Sequence, residues 1–225
     1  MGLFLMQKQF LMISDNLKLV NSRIESIQSD QDVQLIAVSK TRSVLEIQEA
    51  FDAGQIHFGE NYLQESLEKV NYFKDSGLVW HFIGPIQSNK TALISENFDW
   101  VHSVDRFKIA KRLSDQRNPN LGKLNILVQV NIDKEKTKSG VFIDQVDEIV
   151  SEIISLPYIC LRGFMCIPKA ENSSDSFSKM KDLISNYPSL DTLSMGMSAD
   201  LEVAIKNGAN LVRVGTDIFG QRSYN

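Results

Sequence analysis

Residues 34–40 read Gln-Leu-Ile-Ala-Val-Ser-Lys, four apolar side chains in a row closed by a serine and a lysine. A short, uninterrupted apolar run is the pattern of a strand buried on both faces. Comparable runs recur at 56–60, 80–84, 100–105, 124–132, 161–167, 192–197 and 211–219, eight in all. Helix-like segments separate them, for example 44–53, 63–73, 107–115, 143–156 and 201–206. A further helix over 3–28 precedes them, with Phe10, Ile13, Leu17, Val20, Ile24 and Ile27 at helical spacing.

Buried strands alternating with helices imply a parallel sheet covered on both sides. Eight such units predict one α/β domain, a single (β/α)8 TIM barrel over residues 31–225 with the helix of residues 1–30 packed on it. The 225 residues fall slightly below the ~250 typical of that fold. The competing architecture is an open doubly wound sheet, but no G-x-G-x-x-G follows the first run. The polar segments 133–139 and 171–176 read as solvated surface; in a barrel, loops that follow strands also form the catalytic rim.

Composition narrows the function. Apolar residues at 43% and charged residues at 23% are ordinary globular values, which exclude extended disorder. A net charge of −4 gives no bulk attraction to nucleic acid or an anionic membrane. Cys160 and Cys166 form no CxxC pair, and His57, His81 and His102 are scattered, so no metal site is expected. The apolar opening 1–6 is broken by Gln7, Lys8 and Gln9 and lacks a cleavage site, and Met6 occupies the Ser/Thr position of a myristoylation motif. No apolar run reaches the length of a spanning helix. The expectation is a reduced, cytoplasmic protein; Met6 and Met12 are further candidate starts.

Several residues carry chemistry. Period-2 alternation sets Ile36, Val38 and Lys40 on one face, so an inward face puts the Lys40 ammonium at the barrel mouth. Desolvated there, it is a Schiff-base nucleophile; the other reading is a lysine snorkelling to solvent. Arg213, inside the buried run 211–215, points inward at a hydrogen-bonding partner or pairs with a protein carboxylate. Ser198 caps the helix after run seven, and Gly215-Thr216 follow run eight. Barrels often bind phosphate with the loops after strands seven and eight, so Ser198, Gly215 and Thr216 read together as a phosphate cup. Asn61 works at the mouth or caps the next helix. His81 is a pocket residue or a satisfied structural histidine. Met165 and Cys166 read as core fillers, with Met165 also counted toward the pocket. A lysine, a phosphate cup and an inward arginine suit a phosphorylated aldehyde, and pyridoxal 5′-phosphate (PLP) fits all three.

The strings VSKTRS (38–43), HFGENYLQE (57–65), WHFIGPIQSNK (80–90), SVDR (103–106), NID…KSG, RGFMCIP (162–168), LSMGMSADLEVAI (193–205) and VRVGTDIFGQR (212–222) together resemble the pyridoxal phosphate homeostasis proteins. These are single-domain relatives of the amino-terminal barrel of alanine racemase. The resemblance runs from about Leu35 to Arg222. It implies the alanine racemase barrel type and Lys40 as the Schiff-base lysine. It further implies Asn61 and the strand-three neighbourhood of His81 along the pocket, Ser198, Gly215 and Thr216 on the phosphate, and Arg213 at the pyridine nitrogen. Racemases of this fold draw one acid/base from a second β domain, and this sequence runs only to Asn225. The expectation is therefore a monomeric PLP carrier in cytoplasmic PLP homeostasis, with PLP-dependent apo-enzymes as candidate partners. The alternatives are a PLP-dependent amino-acid racemase and a cofactor-free Schiff-base aldolase.

Overall fold

Each apolar run becomes a strand, and the eight strands are all parallel. They are β1 (Gln34–Val38), β2 (His57–Glu60), β3 (Val79–Phe82), β4 (Trp100–Val104), β5 (Leu124–Gln129), β6 (Ile159–Met165), β7 (Thr192–Ser194) and β8 (Leu211–Val214). Neighbours pair in sequence order, and β1 pairs with β8 through Gln34↔Leu211, Leu35↔Val212, Ile36↔Arg213 and Ala37↔Val214, closing the barrel. The computed structural model describes residues 2–27, 32–135 and 137–221, with side chains from Ile13 onward. Gln28, Arg222 and the side chain of Phe10, all used in the sequence reading, lie outside the described residues.

Helices α1 (Gly2–Glu25), α2 (Val44–Asp52), α3 (Leu63–Tyr72), α4 (Thr91–Asn97), α5 (Phe107–Gln116), α6 (Val146–Ile153), α7 (Ser173–Ser185), α8 (Leu201–Lys206) and α9 (Thr216–Phe219) complete the chain. The amphipathic spacing of α1 buries Ile13, Leu17 and Val20, and the helix packs on α2, α8 and α9. A capping box fixes the start of α2: Glu46 N donates to Ser43 Oγ and Ser43 N to Glu46 Oε2.

Strands end earlier than the apolar runs. Ser39-Lys40 and 195–197 leave the sheet as rim loops, and 216–219, expected as strand, is helical. Met195, Ile218 and Phe219 are buried there, and sequence pattern alone does not separate that burial from a strand's. The helix expected over 143–156 starts with a 3₁₀ turn, Ile143–Gln145, and is α-helical only to Ile153.

Alternation divides the buried side chains between two cores. Ala37, Phe58, Val101, Ile126, Phe164, Leu193 and Val212 pack in the large core that includes the helices. Ile36, Leu127, Met165 and Leu211, with Trp100, form a small inner cluster. The rest of the inner wall is largely polar, and that polar column positions the site.

Candidate active site at the carboxyl-terminal mouth

Lys40 follows β1 directly, in a turn whose next residue, Thr41, has a left-handed backbone at φ 64°. That conformation is strained for a β-branched residue and persists only where its surroundings enforce it. Here Thr41 N donates to Glu65 Oε1 at 2.6 Å. Glu65 pairs with Lys69, whose Nζ also donates to Glu60 Oε1 at 2.8 Å and Ser39 O at 2.7 Å. Ser39 Oγ donates to the same Glu60 oxygen at 2.6 Å. Glu60 and Lys69 are buried, and burial pushes the Glu60 carboxyl up against the pull of Lys69. A buried ion-pair cluster thus clamps the backbone on both sides of Lys40.

The opposite wall comes from the loops after β7 and β8. Gly196 turns the first at φ +92°, where a Cβ would come within 2.5 Å of Ala204 Cβ. Asp200 Oδ1 accepts from Met197 N at 2.7 Å and so shapes the segment that carries Ser198. Gly215 brings the β8 loop against Val38, whose Cβ and carbonyl oxygen would each lie 3.3 Å from an added Cβ. Between the walls lies a cleft of about 270 Å³ lined by Val38, Lys40, Arg42, Met197, Ser198, Ala199, Arg213, Gly215 and Thr216. Arg42 closes one side. It stacks over Phe219 at 5.7 Å and donates to Gly220 O and Glu46 Oε1.

Arg213 forms the floor and is 4% exposed. Its Nη1 donates to Ser194 Oγ at 2.6 Å and its Nη2 to Cys166 O at 2.9 Å. Among the described residues no carboxylate lies within ion-pair distance of it. Of the two sequence-level readings, the salt bridge to a protein carboxylate is not the one realised. Burial pulls its pKa down, yet guanidinium stays protonated. Among the described residues Arg213 is a buried cation whose hydrogen-bond acceptors are neutral, with Asp200 pulling on it from beyond ion-pair distance.

Behind Arg213 all three histidines stand in single file across the barrel interior. His102 Nδ1 meets Ser194 Oγ, His102 Nε2 meets His81 Nδ1, and His81 Nε2 meets His57 Nδ1, each at 2.9 Å. Arg213 occupies a lone pair of Ser194, so the arrangement that satisfies every atom has Ser194 donating to His102, His102 to His81 and His81 to His57. All three rings are then neutral. Burial keeps them so, holding His57 low and His81 and His102 well below the usual value; neighbouring histidines reinforce it at His81 and Arg213 at His102.

This predicts acid lability. The unfolded histidines bind protons below about pH 6.5 and the folded ones resist, so stability present above that pH is lost as pH falls. Each proton taken up on unfolding adds a slope of about 1.4 kcal/mol per pH unit. The raised carboxyl groups of Glu60, Asp99 and Glu49 work in the opposite direction and dilute the effect. Urea unfolding between about pH 7 and about pH 5 should show a fall that His81→Phe flattens. A level profile in the parent protein contradicts the neutral file.

The structure brings Lys40, Ser198, Arg213, Gly215 and Thr216 to one cleft. Asn61 lines a neighbouring cleft of about 360 Å³ with Tyr62, Gln87 and Lys90, and its buried Oδ1 has no hydrogen-bond partner among the described residues. His81 and Met165 do not line the first cleft; they lie in the barrel interior, one in the histidine file and the other in the inner apolar cluster. Cys166 is buried with its thiol pushed up to about 12 by desolvation, so it works as core and through its carbonyl. Cys160 is a half-buried free thiol. No cluster of metal-ligand type occurs among the described residues. Sequence reasoning missed Glu60, Glu65 and Lys69, although the Glu65–Lys69 i,i+4 spacing was a signal. It also missed Ser194 and the linkage of the histidines, for which one chain carries no signal.

Comparison with known proteins places the chain. The family described as "Alanine racemase, N-terminal domain" matches residues 12–223. The pyridoxal phosphate homeostasis protein of Escherichia coli (strain K12) is 44% identical, the match covering 94% of this chain and 97% of that protein. The chain belongs to the pyridoxal phosphate homeostasis protein family. The Vibrio cholerae member is 47% identical over the same shares of the two chains. A solved structure of PipY of Synechococcus elongatus PCC7942 with PLP bound is similar at a TM-score of 0.81 and 34% identity, covering 92% of this chain and all of that one. Like PipY, this pyridoxal phosphate homeostasis family member is a closed eight-stranded TIM barrel of the alanine racemase amino-terminal type. No described helix is long and apolar enough to cross a membrane.

Proposed function

We propose that the protein binds PLP in the Lys40 cleft through a Schiff base to Lys40 Nζ, and that it stores and delivers this aldehyde without sustained turnover. The observation that carries the reading is Arg213. Its hydrogen-bond acceptors among the described residues, Ser194 Oγ and Cys166 O, are neutral, and its fixed fork of N–H donors floors a cleft with a half-buried lysine on one wall. The ligand that answers this set combines an aldehyde, an anionic group and a hydrogen-bond acceptor.

When bound, PLP supplies an aldehyde carbon for an amine and a ring able to accept electrons. The chain's residues divide the work. The Glu60–Glu65–Lys69 clamp holds the Lys40 backbone in place, which lowers the entropy cost of capture. Ser198, Gly215 and Thr216 offer hydroxyl and backbone donors to the phosphate. Arg213 is the partner of the ring nitrogen. Being permanently cationic it leaves that nitrogen without a proton, which weakens the ring as an electron sink and favours keeping PLP over converting amino acids with it. The same reading makes the protein a cytoplasmic monomer that passes PLP to apo-enzymes.

The test is direct. Titrating the purified protein with PLP should raise a near-visible absorbance band, and borohydride should fix the PLP mass on the peptide that contains Lys40. Amino acids added to the loaded protein should not turn over. Absence of the band and of the adduct sinks the proposal. The phosphate assignment has its own check in Ser198→Ala combined with Thr216→Val. Each lost hydrogen bond to a charged group is worth about 1.5–3 kcal/mol, roughly ten- to a hundredfold in affinity. Far-UV dichroism should be unchanged; unchanged affinity means that the phosphate sits elsewhere.

A further inference from the structure

The last turn of α1 contributes a side chain that touches both phosphate-side loops from behind. Arg23 Nε and Nη2 grip the two oxygens of Glu202, at 2.8 and 3.2 Å. Its Nη1 donates to Asp217 Oδ2 at 2.6 Å and its Nη2 to Ser198 O at 3.0 Å. Glu202 lies in the first turn of α8, and Asp217 directly follows Thr216 in α9. Seven residues earlier, on the same face of α1, Asn16 Nδ2 donates to Ile218 O at 3.0 Å. One helix outside the (β/α)8 repeat therefore fixes the carbonyl of Ser198 and the backbone of α9 in a single frame.

We propose that Arg23 is a positioning residue for the phosphate side of the PLP cleft, holding the Ser198 and Gly215-Thr216 loops in register and neutralising the two carboxylates beside them. The inference rests on the PLP reading above. Without Arg23, Glu202 and Asp217 place two unscreened negative charges next to the loops that receive a phosphate dianion. The guanidinium removes that repulsion by a bidentate pair, which Arg supplies and Lys does not. Its hold on Glu202 also keeps that carboxyl below the usual range. Arg23 is about a third exposed, so the effect is moderated by solvent and salt.

A structural role and a phosphate-directed role separate by ligand choice. PLP and pyridoxal share the ring and the aldehyde carbon; without the phosphate, the free hydroxyl of pyridoxal masks part of its aldehyde as a hemiacetal, a loss that is the same for parent and variant and cancels between them. Both are titrated against the parent and Arg23→Gln by the near-visible band, with thermal unfolding recorded alongside. The expected result is a fall of roughly three- to tenfold in the affinity for PLP, with pyridoxal affinity unchanged. Equal losses for both ligands, or no loss for either, overturn the proposal. A parent protein that fails to bind PLP overturns it together with the functional reading. A parent that binds PLP while Arg23→Gln leaves the PLP-to-pyridoxal ratio unchanged overturns this inference alone. If Arg23→Gln does not fold, Arg23→Lys takes its place. It keeps the charge and loses the paired hydrogen bonds, so the ratio should fall by a smaller factor, and an unchanged ratio overturns the proposal.

Discussion

Lys40→Ala should abolish the near-visible band on mixing with PLP and leave no adduct after borohydride reduction. The methyl group offers no nitrogen to the aldehyde, and no other described lysine lines that cleft. The fold should be untouched, because Lys40 lies past the end of β1 and the clamp beside it acts through Ser39 O and Thr41 N. Weak PLP binding should survive in the variant, since hydrogen bonds to a charged group of about 1.5–3 kcal/mol each remain at Ser198, Thr216 and Arg213. Equilibrium dialysis should find this residual, reversible fraction. A Lys40→Ala variant that keeps the band and a borohydride-stable PLP adduct would show that Lys40 is not the attachment point.

Lys69→Met should be the most destabilising single change in the site. Lys69 is 4% exposed and Glu60 is fully buried. Removing the ammonium leaves a buried carboxylate whose second oxygen already lacks a hydrogen-bond partner among the described residues. Breaking a buried pair from one side costs about 3–5 kcal/mol. Urea unfolding measures this, and Glu60→Gln added to Lys69→Met should recover most of the loss. The deficit should shrink as pH falls, because an unpaired Glu60 has its folded-state pKa raised further and gains stability by taking a proton. PLP retention should suffer with it, because the left-handed turn at Thr41 loses its support. A Lys69→Met variant within about 1 kcal/mol of the parent contradicts the clamp.

The barrel was legible in the sequence because a strand covered on both faces leaves a mark that needs no partner to be read. QLIAV and LNILVQ announce themselves alone, and their number and spacing define the closure. The rim was less legible. Residues 216–219, Thr-Asp-Ile-Phe, continue the apolar run and become α9, with Ile218 and Phe219 buried in the large core beside α1. Lys40, Ser198, Arg213, Gly215 and Thr216 could be gathered into one cleft because each stands at the carboxyl end of a strand. His81 could not be placed: its neighbours, His57 and His102, sit on adjacent strands at distances along the chain that carry no periodic signal. Asn61, which reads from the sequence as a mouth residue or a helix cap, follows β2 and lines the neighbouring cleft. Arg23 escaped notice for a similar reason, since its partners lie nearly two hundred residues away.

The pairing of β1 with β8 makes the two walls of the cleft the first and last pieces of the barrel to be synthesised. Lys40 leaves the ribosome early, and Arg213 lies 173 residues after it. On the PLP reading, a nascent chain has the lysine before it has the site. Of the strand pairings in the barrel this one closes the longest loop, and such long-range pairing slows folding. A ligand that bridges β1 and β8 binds only the closed form, so it stabilises the whole domain at its seam by mass action. On the PLP reading the ring of strands is fastened where its cargo sits, and removing the cargo withdraws that support from the junction of its two ends.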